Sequence, residues 1–519
     1  MSWTSDDSVG QVGSLASDAR ARSLLIDGIA ESEAKVASQL AVIEDPGFWR
    51  DSQRALDEIT TACDGATLHV SSKKPALTGA SLAAHDSSSV REQTEATQKP
   101  AVGAGMPAIT YVAFESLPFR ISGYNTRTFG LTSALAEKLS VEVVTSPGFP
   151  WTLPSPQNSD FPDISAGGVW SSLHQGVRAR HRQLQHLCNG TVNCARRLQE
   201  FEHHVTEVAE SIDATNIHAA STASNGKVAL RVARKLGSRA SYEIRGLWML
   251  SQLAEDPTVI GTAAFRRALQ AEVQIAHEVD ELFAISSELA AFLQDVGGIE
   301  RPITVLPNGV NTELFRPQNA SHIPRESLGI GSETVIGFFA REARKFEGLD
   351  TLLLALSMQD NPLHKWKLLL VGDGEIKPHL LSRAAQLGVL DCLIPMPAVP
   401  HLDLPRFYSA VDVAVFPRKR ELVTELVPPI KPVEAMACGV PVVVSDCSAL
   451  LSPAREGAPI LAFPRGDAIS LAEVLSDLRA SDSARRRLGE ESRDWVVKHR
   501  QWRTIGNTLI WTLTSSDTA

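Results

Sequence analysis

Twice along this chain, short apolar runs rich in β-branched residues alternate with stretches of helical periodicity, and that alternation leaves few folds open. The first series begins with a strand over Ile109–Phe114, a helix over Thr126–Leu139 and a strand over Val141–Val144. It resumes with Ile217–Ala219, a helix over Gly226–Leu236, a strand over Ala240–Ile244, a long helix ending near Asp280, and the strands Leu282–Ile285 and Ile303–Leu306. The second runs from the strand Val335–Phe339 through a helix over Leu349–Met358, the strand Lys367–Val371, a helix over Lys377–Leu387, and the strands Val413–Phe416 and Val442–Val444. Repeated βα units predict parallel, doubly wound sheets, because each crossover helix returns the chain in the direction it left. Two such series, joined by an extended segment over Gly309–Ser332, predict an α/β protein of two Rossmann-like lobes facing a central cleft. Ligands are then expected beyond the carboxyl ends of the strands.

The flanks have a different texture. Leu25, Ile29, Val36, Leu40 and Ile43 recur at amphipathic spacing within Ala16–Ile43, Asp45-Pro46-Gly47 stops that pattern, and Ser52–Cys63 reads as a second short helix. From Asp64 to about Gly105 the chain is rich in Ser, Thr, Ala, Lys and Gln with little apolar periodicity. The predicted organisation is therefore a helical N-terminal appendage (1–63), a flexible linker (64–105), a first lobe (106–310), a second lobe (311–480) and C-terminal helices (481–519) that pack back on the first lobe. Within the first lobe, Gly148–Ser211 reads as irregular, then helical and basic.

Composition excludes several classes. With 519 residues, 43% hydrophobic and 21% charged, the chain is not collagen-like, wholly disordered or membrane-spanning in composition. Fifty basic against sixty acidic residues give a net charge of -10, so no whole-surface grip on nucleic acid is expected. Six cysteines are too few for a disulfide scaffold, and the step from Cys188 to Cys194 fits no zinc spacing. Met1–Asp7 carries neither a basic nor an apolar leader region, which makes the reducing cytoplasm the expected compartment and Asn189-Gly190-Thr191 a turn.

The richest stretch for chemistry is Thr424–Pro441. Pro432 suits a first helical turn and Gly439 a left-handed helix end, so a short helix is predicted between them. Its first amides form a seat for phosphate, and Glu434 lies where a carboxylate either accepts ribose hydroxyls or merely complements the helix dipole. Val371-Gly372-Asp373-Gly374 permits a tight turn after a strand. Arg341, Arg344 and Lys345 place three cations after another strand, as an anionic ligand requires or as a solvated loop allows.

Together, Ile303–Asn311, Val371–Gly374, Tyr408–Val413 and Glu434–Val443 resemble the glycosyltransferase family 4 type, a GT-B fold. Leu117–Thr128, His218–Ser221 and Tyr242–Trp248 look like the acceptor-side half of such enzymes, so the resemblance runs from about Ile109 to Trp511. It implies retaining transfer of a hexosyl unit from a nucleotide-diphosphate sugar to an acceptor hydroxyl, with no metal or other cofactor required. By the same resemblance the acceptor is a glycan or glycolipid of a bacterial envelope, with no nucleic acid as partner and with peripheral contact at the inner face of the membrane. Donor-side residues become Gly123, Tyr124, Arg341, Lys345, Gly372, Glu425 and Glu434. Arg127, His218 and Arg245 fall on the acceptor side, and His218, Arg341 and Lys431 become the catalytic set.

Two positions depart from the family. Leu426 stands where it usually has a glutamate, with Glu425 one residue earlier, and Glu347 stands where a lysine commonly precedes Gly348. Arg344, Lys345 and Lys431 are the candidates to replace that cation. Arg245 and Glu243 either meet substrate or pair with each other, Trp248 reads as packing, and His218 either orients an acceptor hydroxyl or is a buried, hydrogen-bonded histidine. Another GT-B activity, such as epimerase or phosphorylase chemistry, and a catalytically silent scaffold stay open as alternatives.

Overall fold

The computed structural model describes residues 34–45, 48, 107–151, 169–174, 176–183, 194–317, 323, 325–342, 344–360, 365–374 and 376–515. The second predicted helix, Ser52–Cys63, and the 64–105 linker lie outside them. The first lobe is built on β1 (Ala108–Ala113), β2 (Ser140–Thr145), β3 (Val169–His174), β4 (Val177–Arg182), β5 (Asn216–Ala220), β6 (Arg239–Ile244), β7 (Glu281–Ala284) and β8 (Thr304–Val305), in the order β3-β4-β2-β1-β5-β6-β7-β8. All neighbours pair in parallel except β3 with β4. The second carries β9 (Thr334–Glu342), β10 (Trp366–Asp373), β11 (Leu393–Met396), β12 (Val413–Phe416), β13 (Val442–Ser445) and β14 (Leu461–Phe463), ordered β11-β10-β9-β12-β13-β14 and wholly parallel.

Helices cover both faces of each sheet, so successive strand residues enter different cores. Val112 belongs to one apolar cluster of the first lobe while Tyr111 and Ala113 belong to the other, and Leu369 and Leu370 divide the same way in the second. Such strands read as unbroken apolar runs, which is why most were visible in the sequence.

Three findings depart from expectation. The stretch predicted as irregular within Gly148–Ser211 contains the β3–β4 hairpin, whose register sets Val169 opposite Arg182, Ser171 opposite Arg180 and Leu173 opposite Arg178. Val177, Ala179 and His181 are buried while the arginines between them are only half-buried, a period-2 pattern masked by basic composition. Second, the helix over residues 34–44 is not an appendage. Val36, Ile43 and Phe48 are buried in the main cluster of the first lobe, Phe48 meets Phe265 edge-on at 6.5 Å, and Lys35 Nζ reaches Glu421 Oε1 of the second lobe at 2.5 Å. Third, β11 and β14 add strands that the sequence reading did not include.

The lobes are tied at several points. Leu422, Val423 and Leu426 of the second lobe are buried in a cluster of the first, Ser286 donates to the Leu426 carbonyl at 2.5 Å, and Asn308 Nδ2 donates to the Pro428 carbonyl at 2.9 Å. The helix Asp482–His499 stays on the second lobe, where Arg493 donates to the carbonyls of Phe315 and Ala437. After it the helix Trp502–Ser515 crosses back, with Trp502 over Gly130 and Gly506 against Ala134. A side-chain carbon on Gly130 would lie 2.3 Å from the Trp502 ring, so the crossing demands a glycine there.

Candidate functional site

The helix Gly123–Ala136 starts where β1 delivers the chain to the cleft. Ser122 caps it by accepting from the Asn125 amide at 3.1 Å, and a side-chain carbon built on Gly123 would stand 3.8 Å from Ile430 Cγ2 of the other lobe. Ile430 immediately precedes the helix Lys431–Ala437, so the starts of two helices, one from each lobe, come together across the cleft. Both starts carry the positive partial charge of a helix N-terminus, although at the second Pro432 has no N–H and the Val433 and Glu434 amides already donate to the Ile430 carbonyl at 3.1 and 3.2 Å. Tyr124 serves this loop from inside: its hydroxyl donates to the Ala220 carbonyl at 3.2 Å and Arg245 lies 4.6 Å over its ring. Burial pushes its phenol up to about 12, against the pull of Arg245.

Arg127, His218 and Arg245 meet, but around Glu243 and in the interior. Arg127 Nε donates to Glu243 Oε1 at 2.7 Å and its Nη2 joins the same oxygen. Its remaining donors go to the carbonyls of Leu306 and Pro307 and to Asn308 Oδ1. Arg245 Nε donates to Glu243 Oε2 at 2.9 Å, Nη1 to Thr128 Oγ1 at 2.6 Å and to the Tyr124 carbonyl at 3.0 Å, and Nη2 to the Tyr111 hydroxyl. Burial alone would raise the Glu243 carboxyl, yet Arg127 and Arg245 overcome it and hold the group well below the usual carboxylate range. His218 is fully buried, packed on Tyr111 at 4.7 Å and Phe283 at 5.7 Å, with Nδ1 2.8 Å from Ser241 Oγ. Burial lowers its pKa despite Glu243, 3.8 Å from Nε2.

These three placements correct the acceptor-side expectation. Arg127 is 1% exposed and Arg245 6%, their donors are spent on internal partners, and in this conformation an acceptor hydroxyl reaches none of the three. Glu243 and Arg245 pair with each other, the second of the two options open from the sequence.

In the second lobe Glu434 projects from the first turn of its helix and is 1% exposed. Lys431 Nζ lies 2.9 Å from its Oε2 and His401 Nε2 lies 2.7 Å from its Oε1. Burial opposes ionisation, but Lys431 and His401 prevail and bring the carboxyl down to about 2. Because the carboxylate only accepts, the His401 nitrogen facing it carries a proton. Arg341 lies at the cleft end of β9 and Lys345 is exposed on the single turn Lys345–Glu347 that follows.

Glu425 and Gly372 are used elsewhere. Glu425 accepts from the Ser448 amide at 2.9 Å, where the helix Ser448–Arg455 begins, and from Arg465 Nη1 at 2.7 Å, so its carboxylate is a joint within the lobe. Gly372 has φ +138°, and a side-chain carbon there would fall 1.5 Å from the Ala340 carbonyl oxygen; the glycine exists for strand-to-strand approach. Glu347, in place of the family's lysine, holds Arg418 through two contacts of 3.1 and 2.9 Å, and Arg418 Nη1 donates to the Val427 carbonyl at 3.1 Å. Arg418 and His401 were missed from the sequence. A cation just past the strand Val413–Phe416 satisfies the same rule that singled out Arg341, whereas nothing near His401 in sequence points to a residue 33 positions away.

Beside the Lys431 helix a cavity of about 240 Å³ separates the lobes, lined by Pro307 and Asn308 from one and Pro428, Pro429 and Pro432 from the other. Among the described residues no group of three or more His, Cys, Asp or Glu side chains is gathered as a metal site, and no helix is long and apolar enough to cross a membrane.

Residues 122–309 match the family described as glycosyl transferase 4-like domain, and residues 333–481 the family described as glycosyl transferases group 1. The chain is 28% identical over 228 residues to a D-inositol 3-phosphate glycosyltransferase of Streptomyces bingchenggensis, covering 42% of this chain and 49% of that protein. It is 27% identical over 240 residues to a GDP-mannose-dependent alpha-(1-6)-phosphatidylinositol monomannoside mannosyltransferase of Mycolicibacterium smegmatis, covering 46% and 62%. The matches thus span about half of the first protein and three-fifths of the second. Among solved structures, sucrose-phosphate synthase from Thermosynechococcus elongatus superposes with a TM-score of 0.63 at 21% identity, over 79% of this chain and 100% of that one. HepE from Anabaena, solved with UDP and glucose, gives 0.58 at 18% identity over 79% and 100%. At these identities the likeness is one of fold, the two-lobed GT-B architecture.

Proposed function

The chain belongs to the glycosyltransferase family 4 type, and on that premise we propose that it transfers a hexosyl unit from a nucleotide-diphosphate sugar to an acceptor hydroxyl with retention of configuration. In this reaction the bond from the anomeric carbon to the diphosphate oxygen breaks, the acceptor oxygen bonds to that carbon, and the acceptor proton leaves on the nucleoside diphosphate. Charge accumulates on the departing oxygen, so the chemistry needs fixed donors and cations where it departs.

The observation that carries the reading is the meeting of two helix starts, at Gly123 and Lys431, beside Lys431 and the ionised Glu434. Lys431 and Arg341 are assigned to the leaving diphosphate and Glu434 to the donor ribose; no metal is given a part. Donors of this class are named for relatives: one curated relative is GDP-mannose-dependent, and HepE was solved with UDP-glucose. The acceptor is proposed to be a glycan or glycolipid, met in the cytoplasm at the inner face of the membrane.

With Arg127, His218 and Arg245 internal, the proposal leaves acceptor recognition to other groups and gives these three the task of holding the Gly123–Tyr124 loop. The experiment is nucleotide release from a panel of UDP- and GDP-sugars, with and without mono- and disaccharide and glycolipid acceptors. Release that requires an acceptor supports transfer. Sugar isomerisation without acceptor would replace it with epimerase chemistry, and inertness to every donor, with no thermal shift, would leave a scaffold.

A further inference from the structure

Glu434 is held from two sides by residues of different character. Lys431 lies three positions earlier on the same helix, and its side chain is 23% exposed at the cleft. His401 comes from the loop after β11, is 15% exposed, and is packed against Phe315 with ring centroids 5.0 Å apart. Phe315 in turn meets Tyr408 at 6.3 Å, and Tyr408 stacks on Phe339 at 4.0 Å, so the imidazole is backed by a run of buried aromatic rings. One contact is a flexible ammonium at the edge of the cleft; the other is a ring fixed by packing.

This asymmetry matters once the functional reading above is accepted, on which the inference rests. A carboxylate that is 1% exposed, with an oxygen given to each partner, offers little to a ribose hydroxyl until one partner moves. Lys431 is the one that can move, since its four-carbon stem lets the ammonium turn from Glu434 Oε2 toward a diphosphate. Glu434 would then be a buried charge losing half its support, and such a group turns away or takes up a proton unless another donor holds it. His401 is that donor.

We infer that His401 is a positioning residue for the donor nucleotide: it holds Glu434 Oε1 while Lys431 exchanges Oε2 for the leaving diphosphate, which leaves Oε2 to the ribose hydroxyls. His401 touches neither the sugar nor the reacting atoms. It acts through Glu434, and its removal is felt as loss of ribose recognition.

The test compares UDP and GDP with their 2′,3′-dideoxy counterparts by calorimetry on the full chain. Wild type should bind at least one ribonucleotide, and the dideoxy form about tenfold more weakly, the scale of hydrogen bonds to a charged group. In His401→Ala the ribonucleotide should lose most of that advantage, to within about threefold of the dideoxy form, while dideoxy affinity stays near the wild-type value. His401→Gln, which returns an N–H at similar reach, should restore the preference, and His401→Asn, which is too short, should not. A preference unchanged in His401→Ala, or equal weakening of both nucleotide forms, overturns the inference. Should the alanine variant not fold, the glutamine and asparagine pair decides the matter by the same ratio. Wild type that binds neither nucleotide refutes the functional reading before any variant is made, and wild type without ribose preference refutes the role of Glu434.

Discussion

Replacing Ile43 by alanine should destabilise the first lobe, although the residue lies more than sixty positions ahead of that lobe's first strand. Ile43 has no exposed surface and sits in the main apolar cluster of the first lobe. Three carbons are removed, worth about 0.8 kcal/mol each in transfer from water, and the cavity term brings the expected loss to about 3 kcal/mol. For a lobe of this size, that corresponds to a fall in Tm of about 6–12 °C. The loss has a ceiling, because a helix weakened beyond its docking energy leaves the lobe and costs nothing more.

Lys35→Met should cost less, below about 1 kcal/mol, since the Lys35–Glu421 pair is partly solvated at 31% and 11% exposure. The assay is urea unfolding followed by two probes, tryptophan fluorescence for the lobes and limited trypsinolysis for the helix. In Ile43→Ala, cleavage after Lys35 should accelerate before the lobes unfold. If Ile43→Ala leaves both Tm and cleavage unchanged, the helix is not part of the core, and the two-lobe body is independent of it.

Burial holds the Glu272 carboxyl up to about 7 against its donors Tyr242 and the Ala223 amide. The folded protein therefore keeps a proton that the unfolded chain releases near pH 4.3, so the contribution is full below that value and is lost as pH rises through 7. Glu272→Gln should melt with wild type at about pH 4 and above it at pH 8–9, by a margin on the order of 3 kcal/mol. Glu347→Lys, which writes the family's residue back, should lower stability by about 3 kcal/mol in urea unfolding, because it sets a second cation against the mostly buried Arg418. Lys431→Met should reduce kcat ten- to a thousandfold in a steady-state assay. It should also lower Tm by a few degrees through its pair with Glu434, and adding Glu434→Gln should recover the Tm without recovering kcat.

What was readable in the sequence follows from locality. Strands buried on both faces announce themselves as apolar runs, and the helix from Lys431 is signalled by Pro432 at its start and Gly439, at φ +74°, just past its end. Leu461–Phe463 is too short for any periodicity to show. In the site, the sequence offers residue types but not their environments. No local pattern separates an arginine that clamps a substrate from one that neutralises a buried glutamate, and Arg127 finds Glu243 across 116 positions. The one local hint, Glu243 two places before Arg245, was correct. His401 belongs to the same class of information, a contact made only when the loop after β11 and the Lys431 helix of the second lobe are brought together.

The position of Glu347 bears on how the cleft obtains its positive charge. A lysine there would add a cation at the start of the Leu349 helix; glutamate instead neutralises Arg418, whose planar fork then also fastens the Val427 carbonyl. Val427 follows the short helix Leu422–Leu426, which is buried against the first lobe, so the Glu347–Arg418 pair anchors the loop leading to Pro428, Pro429 and Lys431. A charge that acts by itself in the family pattern has become a strut that fixes the approach to another charge. Lys431 directly follows Ile430, the residue that meets the Gly123 helix start, and its ammonium is paired with Glu434. On the proposed function, release of Lys431 from Glu434 would turn an ammonium already present toward the diphosphate, so that no unpaired lysine charge need stand at this pair before the donor enters. In such an arrangement Glu347 and Lys431 depend on each other, and substituting both should reduce turnover by less than the product of the separate losses.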